Sequence, residues 1–455
     1  LDNKIIMPEK EAKEIPAITK ENRFNLKNVV FTGNTVFKTQ ELEKICADYV
    51  NKDVTISDLK KLTDEITTRY QDSGYITSFA YIPPQKVQDG VVEIAIIEGK
   101  IGNINIEGNK WVRTSYLRNK LLKANKLSDD NIFNVNDLRR SLSEVNNNDY
   151  LKGQVILEKN AEDPESIDLT LSVKDRFPLN LGINWDNQGR ELVGVQRATI
   201  SIADQNLTGF GDTLSVSTSF ARKVFGLHSG YSIPIGPYGT ELKAGYSFSN
   251  NELGGAFRNY GFQGKAHGIN AGIMQPIYRG RTLTLTSDLS FDILNARTKM
   301  VGQTFQKYDL RVLRAGLNGV KDDNRGRWVS RLEVSTGLPI MGGSSDVWLI
   351  GDRVSGAGIG TGKFVKIGAN LMRVQYLPKD ITGIVKVSTQ YSPMALLPVE
   401  QMQFGGMSSV RGFDEALLLG DIGYTLSLEA RKPVPFIPAS ISIPYWFNKS
   451  VKVPL

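Results

Sequence analysis

The chain has 455 residues, room for about three domains, and a formal charge of +7, too modest at this size to argue for nucleic acid. A single cysteine, Cys46, leaves no disulfide framework and no cysteine-based metal site, and the two histidines, His228 and His267, stand isolated, so zinc chemistry and a Ser-His-Asp triad are poorly supported. No apolar run reaches the ~18–20 residues of a membrane helix, yet a membrane β-barrel hides its signal in alternation and keeps its mean hydropathy low.

Residues 1–23 are charged and lack a clean period; they read as a tail or short helix, with one helical turn over Glu9–Glu14 before Pro16. No signal peptide is read at Leu1. Residues 24–100 read strand, helix, helix, strand, strand. Asn28 to Phe31 is apolar and β-branched, and Gly33-Asn34 turns the chain. Leu42, Ile45, Cys46 and Tyr49 share one helical face, which makes Cys46 a buried small hydrophobe. Thr55-Ile56-Ser57-Asp58 fits a capping box ahead of a helix striped by Leu59, Leu62, Ile66 and Tyr70. Asp89-Gly90 is a hairpin signal between Ser78–Ile82 and Val91–Ile97.

Residues 101–176 repeat the plan. Gly108-Asn109 echoes Gly33-Asn34 at a spacing of 75 residues (108 − 33), and Leu117 and Leu121 take the places of Leu42 and Ile45. A second helix follows with Leu138, Leu142 and Val145 on one face, then strands over Val155–Leu157 and Ile167–Val173. Two copies of one small α+β module are the simplest account.

From about residue 177 to 455 the period becomes two. In Thr282–Ile293 the residues Leu283, Leu285, Leu289, Phe291 and Ile293 lie on one face, and Thr284, Thr286, Asp288, Ser290 and Asp292 on the other. About twelve such segments run from Leu179 to Lys432 with turn text between them, more than the seven to nine of a usual sandwich. The charge divides as well: residues 1–176 hold 26 basic and 28 acidic side chains, the remainder 29 and 20, or −2 and +9. The expected fold is therefore α+β modules followed by an all-β antiparallel transmembrane β-barrel.

Late in the chain stands Gln403-Phe404-Gly405-Gly406-Met407-Ser408-Ser409-Val410-Arg411-Gly412-Phe413, in a long irregular segment spanning residues 393–413. Loops of that length inside a compact protein are usually functional. The tandem modules, the barrel and this motif together resemble the two-partner-secretion transporters (TpsB family), whose modules are POTRA domains and whose barrel has sixteen strands. The resemblance implies an outer-membrane pore with its POTRA modules in the periplasm. That pore secretes an unfolded partner protein of the haemolysin, adhesin or contact-dependent toxin type. It implies no cofactor, no nucleotide and no nucleic acid, with outer-membrane lipid as the surrounding medium. The family's motif, here Val410, Arg411, Gly412 and Phe413, tops a loop folded into the barrel lumen, and its arginine is needed for secretion. Gln403, Phe404, Gly405 and Gly406 are then loop support, with Phe404, Val410 and Phe413 as apolar anchors.

The family's carboxylate partner for the arginine lies on a later strand. With about twelve strands of sixteen, the sequence is expected to stop before it. Arg411 is expected to point into the lumen without that usual carboxylate, Glu429 being the possible substitute. Leu151–Arg176 is expected to offer a groove and an edge strand for cargo. An assembly insertase of the same superfamily, a passive porin and a soluble β-rich binding protein are the other readings; an enzyme is the least supported, since no nucleophile–base pair, carboxylate pair or metal cluster stands out.

Overall fold

The computed structural model describes residues 5–6, 23–123, 131–146, 148, 150–163, 165–236, 239–280, 282–344, 347–349, 352–354, 360–407, 409–433, 440–444 and 450–454. They form two units, Leu1–Pro178 with Thr208–Gly211, and Leu179–Leu207 with Asp212–Leu455.

The first unit opens with β1 (Ile5–Ile6), β2 (Phe24–Leu26), β3 (Asn28–Thr32), α1 (Thr39–Cys46), β4 (Lys52–Val54), α2 (Ile56–Asp72), β5 (Phe79–Tyr81) and β6 (Val91–Ile97). It continues with β7 (Lys100–Glu107), α3 (Thr114–Lys123), α4 (Val135–Asn146), β8 (Leu151–Lys159) and β9 (Ser166–Asp175). The three-stranded order β3–β6–β5 recurs as β7–β9–β8, with the outer pair parallel and the other antiparallel in both.

The repeat is chemical as well as topological. Gly33 and Gly108 both have left-handed φ, 82° and 83°, and a Cβ at either would collide with a backbone carbonyl oxygen, of Ile96 or Val173. Asn34 Nδ2 then donates to the Phe37 carbonyl at 3.0 Å and Asn109 Nδ2 to that of Val112 at 2.7 Å. Beyond each turn a carboxylate collects the next backbone amides. Glu98 accepts from Thr35 and Val36 at 2.8 and 2.9 Å, and Asp175 from Trp111 and Val112 at 2.7 and 3.1 Å. Charge-assisted bonds of this kind are the stronger ones, and neither carboxylate stands out in the sequence.

The helices bury the expected stripes. Leu62, Ile66 and Tyr70 of α2, and Leu138, Leu142 and Val145 of α4, are fully buried. The α2 capping box is complete: Asp58 N–H donates to Thr55 Oγ1 and the Thr55 N–H to Asp58 Oδ2. Tyr70 donates its hydroxyl to Glu98 at 2.8 Å, and burial followed by that bond pushes its pKa up.

Three local readings need correction. α1 ends at Cys46, so Tyr49 reaches the core from the following turn; at the 75-residue spacing the counterpart of Leu121 is Cys46, buried like it, and not the half-buried Ile45. Asp89-Gly90 does turn left-handed, but β5 ends at Tyr81, so the turn tips a longer excursion instead of closing two strands directly. In the expected 1–23 tail, Ile5 and Ile6 form a strand that pairs in parallel with Val155 and Ile156 of β8, while the turn read over Glu9–Glu14 lies outside the described residues.

In the second unit come β10 (Leu179–Asp186), β11 (Arg197–Asp204), β12 (Thr213–Ala221), β13 (Val224–Ile235), β14 (Thr240–Glu252) and β15 (Gln263–Arg279). Next are β16 (Leu283–Met300), β17 (Gln303–Asp323), β18 (Gly326–Gly337), β19 (Val347–Leu349), β20 (Asp352–Val354), β21 (Val365–Leu377) and β22 (Ile381–Tyr391). The last are β23 (Met402–Phe404), β24 (Leu418–Gly420), β25 (Gly423–Arg431), β26 (Ser440–Pro444) and β27 (Ser450–Pro454).

Twelve of these strands, β10–β18, β21, β22 and β25, pair antiparallel in chain order, and they are the twelve segments expected from period two. β19 and β20 attach beside that path; β23 with β24, and β26 with β27, form separate pairs. Elements of three to five residues are too short for alternation to announce them.

The register puts like beside like. Ile183 faces Ile200, Ile273 faces Leu289, Leu317 faces Leu332 and Leu371 faces Val387, all on one face. Many of these large apolar side chains are solvent-exposed: Ile183, Ile273, Leu289, Leu317 and Leu332 among them. Aromatic residues mark both ends of that face, with Trp185, Tyr391 and Tyr424 at one and Trp328 and Tyr278 at the other. An apolar band between aromatic rows is the exterior of a membrane barrel.

Candidate functional site

The opposite face of the sheet is polar, and its charges are paired. Asp288 and Asp292 project from β16, Arg314 and Asn318 from β17, Arg331 and Glu333 from β18, and Lys366 from β21. Arg314 Nε donates to Asp292 at 2.6 Å; Arg331 reaches Asp288 at 3.0 Å and Glu333 at 2.6 Å. Cross-strand pairs form because residues opposite in register lie on the same side of the pleat.

Onto this wall folds the segment between β22 and β25. Leu396 and Leu397 are buried in a small apolar cluster with Leu310 and Val312 of β17 and with Phe364. Three residues further on, Glu400 accepts Arg314 Nη2 at 2.6 Å and Lys366 Nζ at 2.7 Å. Only 4% of the Glu400 side chain is exposed. Burial by itself would raise this carboxyl's pKa, but the Arg314 bond and the two positive charges prevail and hold it below the usual value of 4.5. Asp421 ties the two ends of the segment together, accepting from the Leu396 amide and the Gln401 side chain, each at 2.9 Å.

The motif lies at the tip of a hairpin inside this segment. Met402, Gln403 and Phe404 pair with Gly420, Leu419 and Leu418. Gly405 and Gly406 take left-handed φ of 108° and 91° and bring the backbone against Asp414 and the Glu415 carboxylate, where a Cβ would collide. The Gly406 amide donates to the Phe413 carbonyl at 3.1 Å and the Met407 amide to Glu415 at 3.1 Å, so the tip is internally braced. The Phe404 ring fits over the bare backbone of Gly423. Val410 and Phe413, expected as apolar anchors, are 42% and 59% exposed and do not anchor the tip. Gly412 is also left-handed, at 91°, with open space around it. Ser408 lies outside the described residues.

Arg411 Nη2 lies 2.5 Å from Glu429 Oε1, on the polar face of β25. Glu429 also receives Arg431 at 2.7 Å and has Lys386 at 3.6 Å, so one carboxylate serves three cations. The possible substitute named from the sequence is thus the group beside the motif arginine, and the contact is single rather than bidentate.

Glu400 escaped the sequence reading, although the signal was there: it is the sole acid from Ser392 through Phe413. Its partners Arg314 and Lys366 could not be assigned without the register of four strands.

An antiparallel sheet apolar outside and polar within, preceded by tandem modules and entered by its own loop, defines a barrel transporter of the outer membrane. The haemolysin secretion/activation proteins ShlB/FhaC/HecB match residues 165–444; a POTRA domain of the ShlB type matches 24–99, and a surface antigen variable number repeat, likewise a POTRA domain, matches 99–176. The heme/hemopexin transporter protein HuxB of Haemophilus influenzae (strain 86-028NP) is 25% identical over 432 residues, 92% of this chain and 75% of HuxB. The outer membrane transporter CdiB of Escherichia coli is 24% identical over 420 residues, 90% of this chain and 69% of that one. The solved structure of CdiB from Escherichia coli has the same fold, with a TM-score of 0.71 at 22% identity, over 95% of this chain and 79% of CdiB. The chain belongs to the haemolysin secretion/activation family: it is a two-partner-secretion transporter of the outer membrane that secretes a partner exoprotein, with its POTRA domains in the periplasm.

Proposed function

We propose that the partner passes outward through the barrel in extended, unfolded form, and that the loop of residues 393–413 gates its path with Arg411 as the functional residue. The observation that carries this reading is the contact of Arg411 with Glu429, since it ties the motif tip to the inner wall of the barrel. Val410, Gly412 and Phe413 shape the tip; Gln403, Phe404, Gly405 and Gly406 support it. The division at residues 24–100, 101–176 and 177–455 assigns capture to the modules and passage to the barrel. Capture falls to Leu151–Arg176, where the outer side of β8 accepts a parallel strand, Ile5–Ile6, in the way an added cargo strand would pair. The exoprotein is of the haemolysin, adhesin or contact-dependent toxin type. Lipid surrounds the apolar band, and the reading calls on no cofactor, nucleotide, nucleic acid or catalysis.

The test is secretion by cells carrying Arg411→Ala. Secreted partner in the medium falls while heat-modifiable migration of the barrel on gels is retained. Normal secretion by that variant removes Arg411 from the mechanism. Photocrosslinking from Lys152, an exposed residue of the same strand, to the partner tests capture, and its absence from both modules refutes that part.

A further inference from the structure

The inward loop is held at two places of unlike character. At the tip, the Arg411 guanidinium is 55% exposed and shares its carboxylate with two other cations. Exposed pairs of this kind hold weakly. At the base, Glu400, Arg314 and Lys366 are only 4%, 21% and 13% exposed. Arg314 is held in turn by Asp292 at 2.6 Å, with Glu333 at 3.7 Å, and its Nη1 donates to Ser335 at 3.1 Å. Lys366 also donates to the Glu400 carbonyl at 2.9 Å, as does Gln390 at 3.1 Å. The Leu396–Leu397 cluster sits beside this knot. Breaking one partner from a buried pair strands the other, a shift on the order of a hundredfold or more in an equilibrium.

We propose that Glu400 is the positioning residue of the loop: a buried latch, separate from the motif arginine, that stays closed during secretion so that only the hairpin from Met402 to Gly420 swings. This rests on the loop acting as the gate. The latch fixes the point about which the tip moves, and the two left-handed glycines Gly405 and Gly406 lie beyond it, on the moving side.

Two experiments on the full-length transporter in cells decide it. A disulfide staple is placed where the loop base bridges its neighbour, Thr361→Cys with Leu396→Cys. Oxidised and reduced forms are expected to secrete equally, because the base does not move; secretion lost on oxidation and regained on reduction overturns the proposal. Glu400→Gln is expected to lower secretion at least about tenfold and raise ion conductance in planar bilayers, with Glu400→Asp recovering part of both. Wild-type secretion and conductance in Glu400→Gln overturn the proposal too. If Glu400→Gln fails to insert, the staple, which keeps Glu400, still decides. The gate reading itself fails on a different arm, normal secretion by Arg411→Ala, so the two failures are distinguishable.

Discussion

The two units solve opposite solvent problems with the same residue types. In the modules, leucine, isoleucine and valine point inward; Leu62, Leu117 and Leu138 are wholly buried. In the barrel most of the same residue types point outward, with Ile183 at 76% and Leu428 at 71% exposure, and the interior, apart from the small cluster around Leu310 and Leu397, is polar and charged. Each unit therefore keeps its cohesion in a different place. A module is held by a close-packed apolar core. The barrel is held by its strand ladder and by ion pairs such as Arg314 with Asp292 and Glu400, which are largely shielded from competing water.

Removing a charge from the barrel interior tests this division most severely. Arg314→Ala leaves Glu400 and Asp292 without their shared partner and is expected to cost about 3–5 kcal/mol, read as a lower urea midpoint in detergent. A cost below about 1 kcal/mol would make the interior network decorative. Next in size is the module core. Leu62→Ala, at a fully buried position, is expected to cost about 2–5 kcal/mol in the unfolding of the first module, monitored by amide hydrogen exchange, while barrel strands keep their protection.

A third change probes the outer face. Leu289→Lys is expected to cost about 2–4 kcal/mol in lipid, and Ser290→Lys, on the polar face, far less. Leu285→Lys should fall between them, because Leu285 lies two residues from the end of β16, near the turn. Equal tolerance at Leu289 and Ser290 in refolding into vesicles would remove the lipid-facing assignment.

The smallest effect belongs to a helix end. Thr55→Ala removes the side-chain half of the α2 capping box and is expected to cost about 1 kcal/mol of module stability by thermal melting. The bonds from the Thr55 side chain and amide hold the Asp58 carboxyl below its ordinary value of 3.8. A depressed carboxylate contributes above its unfolded pKa and loses that contribution as pH falls through the folded one. The difference between wild type and Thr55→Ala should therefore shrink on acidification below about pH 4.

Much of this was legible from residue order. Period-two alternation gave every strand of the twelve-stranded path, because each is long and has one apolar face. The Gly-Asn turns announced the repeat, because few other residues fit a left-handed turn pressed against a carbonyl. What stayed hidden depends on register. Glu98 and Asp175 collect amides more than 60 residues away, and Glu400 meets a cation 86 positions earlier. Spacing along the chain carries no trace of such meetings. The exposure of Val410 and Phe413 was hidden for a related reason: an apolar residue at a hairpin tip packs only if the wall opposite offers it a place.

Cys46 has a practical consequence. It is the chain's sole cysteine, sits in the first module's core at 2% exposure, and its thiol is pushed up to about 11, first by burial and then by Glu43 and Glu65. At neutral pH about one molecule in ten thousand would carry the thiolate that maleimides attack. These 455 residues therefore serve as their own labelling blank. A fluorophore or nitroxide placed on Met407 or Phe413 will report from the tip alone, and distances between two such probes can be read while cargo passes, without first stripping the sequence of native thiols.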